Sequence, residues 1–473
     1  MKLNKSLSIF LLCHLIIWSV LPMVLRPNLP MDSAEALVWG FIGEWGTNKH
    51  PPLSGFFADI MYRLTGTPAS LYVLSQLFVV GGLFYVYKLA RLFLPENKSV
   101  IAALILEAVA YYSLVTPEYN VNIIALMLWP AATYHFYKAV QQNTLYDWVL
   151  FGAFAGLNIL NKYVSGILLL CLGLYILCTE DGRKTLRSWK LYLSAAIAFG
   201  LIAPHAVWLH NHDYFVVDYF LGRSGEGRVL PYGLAHIVYP LKFLAAQVMT
   251  SALALVIFFT VRRYSPKQEI TVSKNNRLFV FYAGILPTLV MVFISLVLGI
   301  KLKSMWGSPV LYMLGTGLFI WFPFDIAKSY KLLLKACYGA LYLFAFAFAL
   351  QVAFTTSAKF KINAADFTAK VGAEKFDYAG GSVWLASTVG SYAANHPQIL
   401  YFMTPETNPW IDMNDFETKG ALVVEENPAI YHAYRQRFPK LSEPQVYELN
   451  VTTPSGKTKQ HKLYYGIIAG EQK

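Results

Sequence analysis

Residues 7–25 read LSIFLLCHLIIWSVLPMVL, from Leu7 to Leu25, with Lys2 and Lys5 before them and Arg26-Pro27-Asn28 after. The run carries no Asp, Glu, Lys or Arg. As a helix it is long enough to cross a hydrocarbon core about 30 Å thick. It has the outline of a signal peptide but no small-residue cleavage site, so it reads as an uncleaved first span. Similar runs lie near 70–90, 99–115, 120–139, 148–160, 164–178, 191–210, 234–261, 278–299, 308–324 and 336–353. Together they predict an α-helical polytopic membrane protein of about eleven spans. The short pair around Asn161-Lys162-Tyr163 reads as a hairpin.

Composition agrees. The 473 residues are 56% hydrophobic and 14% charged, where a soluble domain is about 25% charged. A disordered chain is excluded, and an ordinary cytosolic enzyme does not fit. From Thr355 onward about 20% of positions are charged, against about 12% before it. The predicted organisation is a membrane part over 1–354, with an outside loop at 27–68, and a small α/β domain over 355–473. In that tail, 398–402 and 421–424 read as strands, and 380–394 and 427–438 as helices. It has no glycine-rich phosphate loop and no nucleophile elbow, so it is assigned no chemistry of its own. Cys13, Cys171, Cys178 and Cys337 lie in apolar runs, with no CxxC and no zinc spacing.

Lys and Arg in the loops set the orientation. With the N-terminus inside, the inner segments hold 18 of them and the outer segments 8. An odd number of spans then puts the C-terminal domain outside. The net charge of +12 therefore speaks for a membrane surface rather than for nucleic acid.

Candidate chemistry collects on the outside loops. Asp32 and Glu35 sit at capping-box spacing after Pro30, which is read either as a plain helix cap or as a carboxylate held as general base. Asn48-Lys49-His50-Pro51-Pro52-Leu53 is either a turn with a solvated lysine or a stiff cationic corner for a phosphate. Glu118, on the very short turn Thr116-Pro117-Glu118, must face water or a cavity. Arg223 and Arg228 lie on a second loop. Lys301, Lys303 and Trp306 form either an interfacial belt or a phosphate contact beside a ring that stacks on a sugar. Glu107, inside the third run, is an ionisable residue at membrane depth, where such groups are costly. It faces either a polar cavity or a functional partner.

These stretches resemble the bacterial GT-C glycosyltransferases of the dolichyl-phosphate-mannose protein mannosyltransferase superfamily, which include the lipid A aminoarabinose transferases. The matching residues are Asp32 to Leu37, Trp45-Gly46 and His50-Pro51-Pro52-Leu53 in the first outside loop, then Thr116-Pro117-Glu118. Asp147-Trp148 with Gly152, Gly156-Leu157, Leu160 and Asn161-Lys162-Tyr163 is similar to the family's hairpin. Lys303, Trp306, Pro309 and Tyr312 are similar to its late Lys–Trp–Pro–Tyr signature. The sequence departs at Ser33 and at Lys49, where relatives carry acids, which removes carboxylates from any metal site.

The resemblance implies a GT-C fold in the bacterial inner membrane, with the tail in the periplasm. It also implies transfer of a sugar from a polyprenyl-phosphate donor by a single inverting displacement. The acceptor is lipid A or another envelope glycolipid, with protein O-mannosylation as the alternative. Asp32, Glu35 and Glu118 are the implied catalytic carboxylates. Lys49, His50, Arg223, Arg228, Lys301, Lys303 and Trp306 are the implied substrate contacts. No cofactor is assigned, and a divalent metal stays open. A transporter is the reading from another class, opposed by the lack of an inverted repeat and by ionisable residues gathered at the outer surface.

Overall fold

The protein, seen in a computed structural model, is described over residues 4–225, 230–268 and 272–471. Helix α1 (Lys5–Leu25) is the first span, and Asn4 caps it by accepting from the amides of Ser6 and Leu7. The predicted surface loop holds two short helices, α2 (Met31–Ile42) and α3 (Leu53–Thr65). They cross so closely that a β-carbon on Gly40 would collide with the Gly55 carbonyl. Then follow α4 (Ser70–Ala90), α5 (Glu96–Leu104), α6 (Val121–Gln142), α7 (Leu145–Asn161) and α8 (Gly166–Cys178). The bundle continues with α9 (Glu180–Thr185), α10 (Trp189–Asn211), α11 (Phe215–Gly225), α12 (Tyr232–Tyr264), α13 (Lys274–Val280), α14 (Leu286–Leu298), α15 (Leu314–Trp321) and α16 (Tyr330–Phe354).

Every predicted apolar run contains helix, but not every run is a continuous span. Among the described residues, six helical stretches are long and apolar enough to cross a membrane by length and composition. The chain is therefore a multi-pass membrane protein. The run 99–115 departs most from expectation. α5 ends at Leu104, and 3₁₀ turns follow over Ile105–Ala108 and Ala110–Tyr112, separated by an extended Val109. The Glu107 side chain is held there by Trp18 and His14 of α1, which fixes the backbone out of α-helical register.

The run 278–299 contains a π-turn over Phe281–Ile285. Pro287 supplies the reason: it has no N–H to give the Ala283 carbonyl. The Tyr312 hydroxyl donates to that carbonyl instead, at 2.7 Å. Small residues set a close contact between α7 and α10. A β-carbon at Gly152 would strike the Ser194 carbonyl, so only glycine lets the two backbones approach.

After Phe354 the chain leaves the bundle through α17 (Ala358–Lys361) and α18 (Ala364–Lys370). It then builds β1 (Tyr378–Gly381), α19 (Val383–Tyr392), β2 (Gln398–Tyr401), α20 (Met413–Lys419), β3 (Gly420–Glu425), α21 (Pro428–Arg437), β4 (Gln445–Thr452) and β5 (Thr458–Ala469). The sheet order is β2-β1-β3-β5-β4, with parallel pairing around β1 and antiparallel pairing from β3 outward. The expected helix over 380–394 begins later, because 380 and 381 belong to β1. At Gly381 (φ 122°) a β-carbon would strike the Val424 carbonyl, which is why the strand there carries no side chain. Helix α19 lies on α2, and Ser391 Oγ donates to the Ala34 carbonyl at 3.0 Å. Asn28 Nδ2 and Arg26 Nη2 donate to the carbonyls of Ile362 and Lys359, both at 3.1 Å. The sheet domain thus rests directly on the segment that carries Asp32 and Glu35.

Candidate active site

At the sheet-domain end of the bundle, a cavity of about 380 Å³ opens between α2, the turn before α6, the break after α7 and the segment before α15. Asp32, Glu35, Lys49, His50, Glu118, Lys303 and Trp306 all line it. Lys301 is exposed and lines a neighbouring crevice with Tyr239 and Lys242. Arg223 lies on α11, and its side chain falls outside the described residues, as does the whole of Arg228.

Helix α2 presents the two acids. Pro30, not Asp32, occupies the N-cap, and no side chain caps the helix, so the capping-box reading does not hold. Asp32 lies in the first turn, and its amide donates to Glu118 Oε1 at 3.2 Å. Two carboxylates therefore line the same cavity. Burial and the neighbouring Asp32 charge push the Glu118 carboxyl up to about 7, against the lowering effect of the Asp32 amide. The turn carrying Glu118 is fixed on both sides. Ser33 Oγ donates to the Tyr119 carbonyl at 3.2 Å, and Tyr119 OH donates to the Ser54 carbonyl at 2.8 Å.

Glu35 is buried and lies 2.6 Å from Lys49 Nζ. Burial alone lowers the Lys49 pKa, and Glu35, with Tyr219 and Asp32, more than reverses this, so the ammonium stays charged. Thr47 builds the Lys49-His50 corner. Its Oγ1 accepts from the amides of Lys49 (3.1 Å) and His50 (2.9 Å) and donates to the His50 carbonyl (2.9 Å). Trp39 braces the corner from α2, donating to Asn48 Oδ1 at 3.0 Å and meeting the His50 ring edge-on at 5.9 Å.

Lys162, which the sequence marks only as part of the hairpin, lines this cavity. It sits in the break between α7 and the 3₁₀ turn Tyr163–Ser165. Its ammonium donates to Asn122 Oδ1 at 2.6 Å and lies 5.8 Å from the Trp306 ring centre. Burial lowers its pKa to about 7, although the Asp32 charge opposes the shift. Tyr163 beside it meets His205 Nε2 at 2.8 Å, and Tyr219 of α11 also lines the cavity. The signal for Lys162 is its place in a polar break between two short apolar runs.

Among the described residues, no group of three or more His, Cys, Asp or Glu side chains is arranged to hold a metal ion. The arrangement can hold an anion among Lys49, His50, Lys162 and Lys303 while presenting a carboxylate pair to a hydroxyl.

The fold and this site define the class: a polytopic membrane protein of GT-C architecture. Over 98% of this chain, the fold matches the crystal structure of ArnT from Cupriavidus metallidurans bound to undecaprenyl phosphate. That match covers 99% of ArnT, with a TM-score of 0.63 and 14% identity. The family model of the dolichyl-phosphate-mannose-protein mannosyltransferases matches residues 49–208, which include Lys49, His50, Glu118 and Lys162. Two curated relatives are lipopolysaccharide core galacturonosyltransferases of Rhizobium johnstonii. RgtA is 23% identical over 258 residues, 54% of this chain and 52% of the relative. RgtB is 24% identical over 300 residues, 61% of this chain and 59% of the relative. The chain thus spans little more than half the length of the curated relatives it matches.

Proposed function

We propose that this chain is an integral membrane glycosyltransferase that moves a sugar from a polyprenyl-phosphate donor to an envelope glycolipid, with inversion at the anomeric carbon. The observation that carries the reading is one cavity lined both by basic side chains, Lys49, His50, Lys162 and Lys303, and by the carboxylates Asp32 and Glu118. A polyprenyl phosphate leaves as an anion, so its departure calls for neutralisation rather than protonation. An acceptor hydroxyl entering from the other side of the sugar calls for a base.

In this mechanism Asp32 takes the hydroxyl proton as the acceptor oxygen attacks the anomeric carbon. The bond from that carbon to the phosphate oxygen breaks, and the electron pair leaves on the phosphate. Glu118, whose carboxyl burial and the Asp32 charge push up to about 7, is the acid beside Asp32 that can hold a proton. Glu35 holds Lys49 in place by their 2.6 Å ion pair. Trp306 offers a ring for the sugar. The donor class is supported by undecaprenyl phosphate in the ArnT structure, and a glycolipid acceptor by the lipopolysaccharide relatives. A protein acceptor is favoured only by the name of the matching family. On the loop charges, the N-terminus is cytoplasmic in a bacterial inner membrane, and the cavity with the sheet domain faces the periplasm.

The test is purified protein in vesicles given a radiolabelled polyprenyl-phosphate sugar and a lipid A acceptor. Label on the acceptor is the expected result. Movement of intact donor between leaflets with no transfer would mean a carrier.

A further inference from the structure

An ionisable pair lies in the bundle core, where the proposed reaction does not use it. Glu107 and His14 are both fully buried, and Glu107 Oε2 is 2.6 Å from His14 Nδ1. Glu107 Oε1 accepts from Trp18 Nε1 at 3.1 Å. On its other side, His14 Nε2 is 3.1 Å from Gln76 Oε1. Gln76 Nε2 donates to the Thr116 carbonyl at 3.0 Å, which also accepts from Ser75 Oγ at 2.5 Å.

Donor and acceptor rules fix the directions in this chain. The Thr116 carbonyl only accepts, so the Gln76 amide nitrogen faces it and the amide oxygen faces His14. His14 Nε2 must then carry a proton. The Trp18 indole only donates, so Glu107 Oε1 accepts. One further proton sits between Nδ1 and Oε2. Gln76 does not release an amide proton, so protons stop there, and the chain acts as a strut rather than a wire. The strut ends two residues before Glu118. The turn it holds is itself tight: Thr116 Oγ1 donates to the Ser113 carbonyl at 2.7 Å, and the Glu118 amide donates to Val115 at 3.3 Å.

We propose that Glu107, His14 and Gln76 are positioning residues: from within the bundle they hold the Thr116 carbonyl, and so keep Glu118 against Asp32. The inference rests on reading the cavity as the transfer site. The groups facing Glu118 are Asp32 from α2, Arg26 from the start of the first loop and Tyr72 from α4. Glu35, Lys49, His50, Lys162, Tyr163, Tyr219 and Lys303 stand around the same cavity. A loosened turn lets water reach Glu118 and separates it from Asp32, so its pKa drops toward the ordinary carboxylate range.

Gln76→Met keeps the length of the side chain and removes one of the two side-chain donors to the Thr116 carbonyl, leaving Ser75 Oγ. The expected result is an unchanged KM for the donor and a kcat lower by roughly 10–100-fold. The step in kcat near pH 7 should move to lower pH. Amide exchange over 113–119 should accelerate while α4 stays protected. Glu107→Gln should give the same pattern more weakly, because Trp18 and His14 keep a partner. A folded Gln76→Met protein with wild-type kcat, pH midpoint and exchange overturns the proposal and leaves the network as core packing. If neither variant folds, the wild type decides by amide exchange. Protection over 113–119 equal to that of α4 supports the strut, and rapid exchange there overturns it. Absence of transfer by the wild-type protein defeats the transferase reading instead, and the exchange comparison still tests the strut.

Discussion

Asp32 and Lys162 carry the strongest consequences at the scale of single residues. Asp32→Asn keeps the size of the side chain, and the helix needs no cap from it, so folding should survive. Loss of base catalysis should lower kcat by roughly 10²-fold or more, read by single-turnover transfer. Lys162 should make donor use depend on pH. Its folded pKa is about 7, below that of an ordinary lysine, so the ammonium is present at pH 6 and is lost as pH rises through 7. Apparent KM for the polyprenyl-phosphate sugar should therefore climb above pH 7. Lys162→Arg, which stays charged, should flatten that climb. A climb of equal slope in the arginine variant would place the phosphate elsewhere. The sequence exposed Asp32, Lys49, His50, Glu118, Lys303 and Trp306 because charge on outside loops between apolar runs stands out. It hid Asn122 and Tyr219, neutral side chains on helices, whose place at the cavity comes only from what the fold brings beside them, and it gave Tyr163 only as part of the hairpin.

Among elements, the α7–α10 contact depends on a glycine. Gly152→Leu should force these helices apart and cost roughly 1–3 kcal/mol or more. Thermal unfolding in detergent measures it. Gly173→Leu on α8, where no atom lies within 4 Å of an added β-carbon, serves as the control and should melt like the wild type. The helices were legible from apolar runs, but their interruptions were not. The 3₁₀ turns after α5 depend on Glu107 finding Trp18 and His14, contacts about ninety residues apart. The π-turn depends on Pro287 and Tyr312 meeting. Strands β4 and β5 also escaped the reading. Most of β4 is exposed or half-exposed, so it lacks the apolar alternation that marks a strand.

At the scale of the whole molecule, the loop charges make one further prediction. Protease added to spheroplasts should reach the sheet domain, and in inverted vesicles the domain should be protected. The reverse result would shift the span count by one. The general plan, a membrane bundle followed by a small α/β unit, was legible because charge density changes sharply at Thr355. The seat of that unit on α2 was not, because it depends on shape rather than composition. This seat has a consequence for biosynthesis. The Ala34–Ser391 bond joins residues 357 positions apart, so α2 emerges early from the ribosome and meets α19 only when nearly the whole chain has been made. During that interval the nascent chain must keep the buried face of α2, with Leu37 and Val38, covered by lipid or by a folding helper. The packing of α2, which carries Asp32 and Glu35, is thus completed last although the helix is translated early.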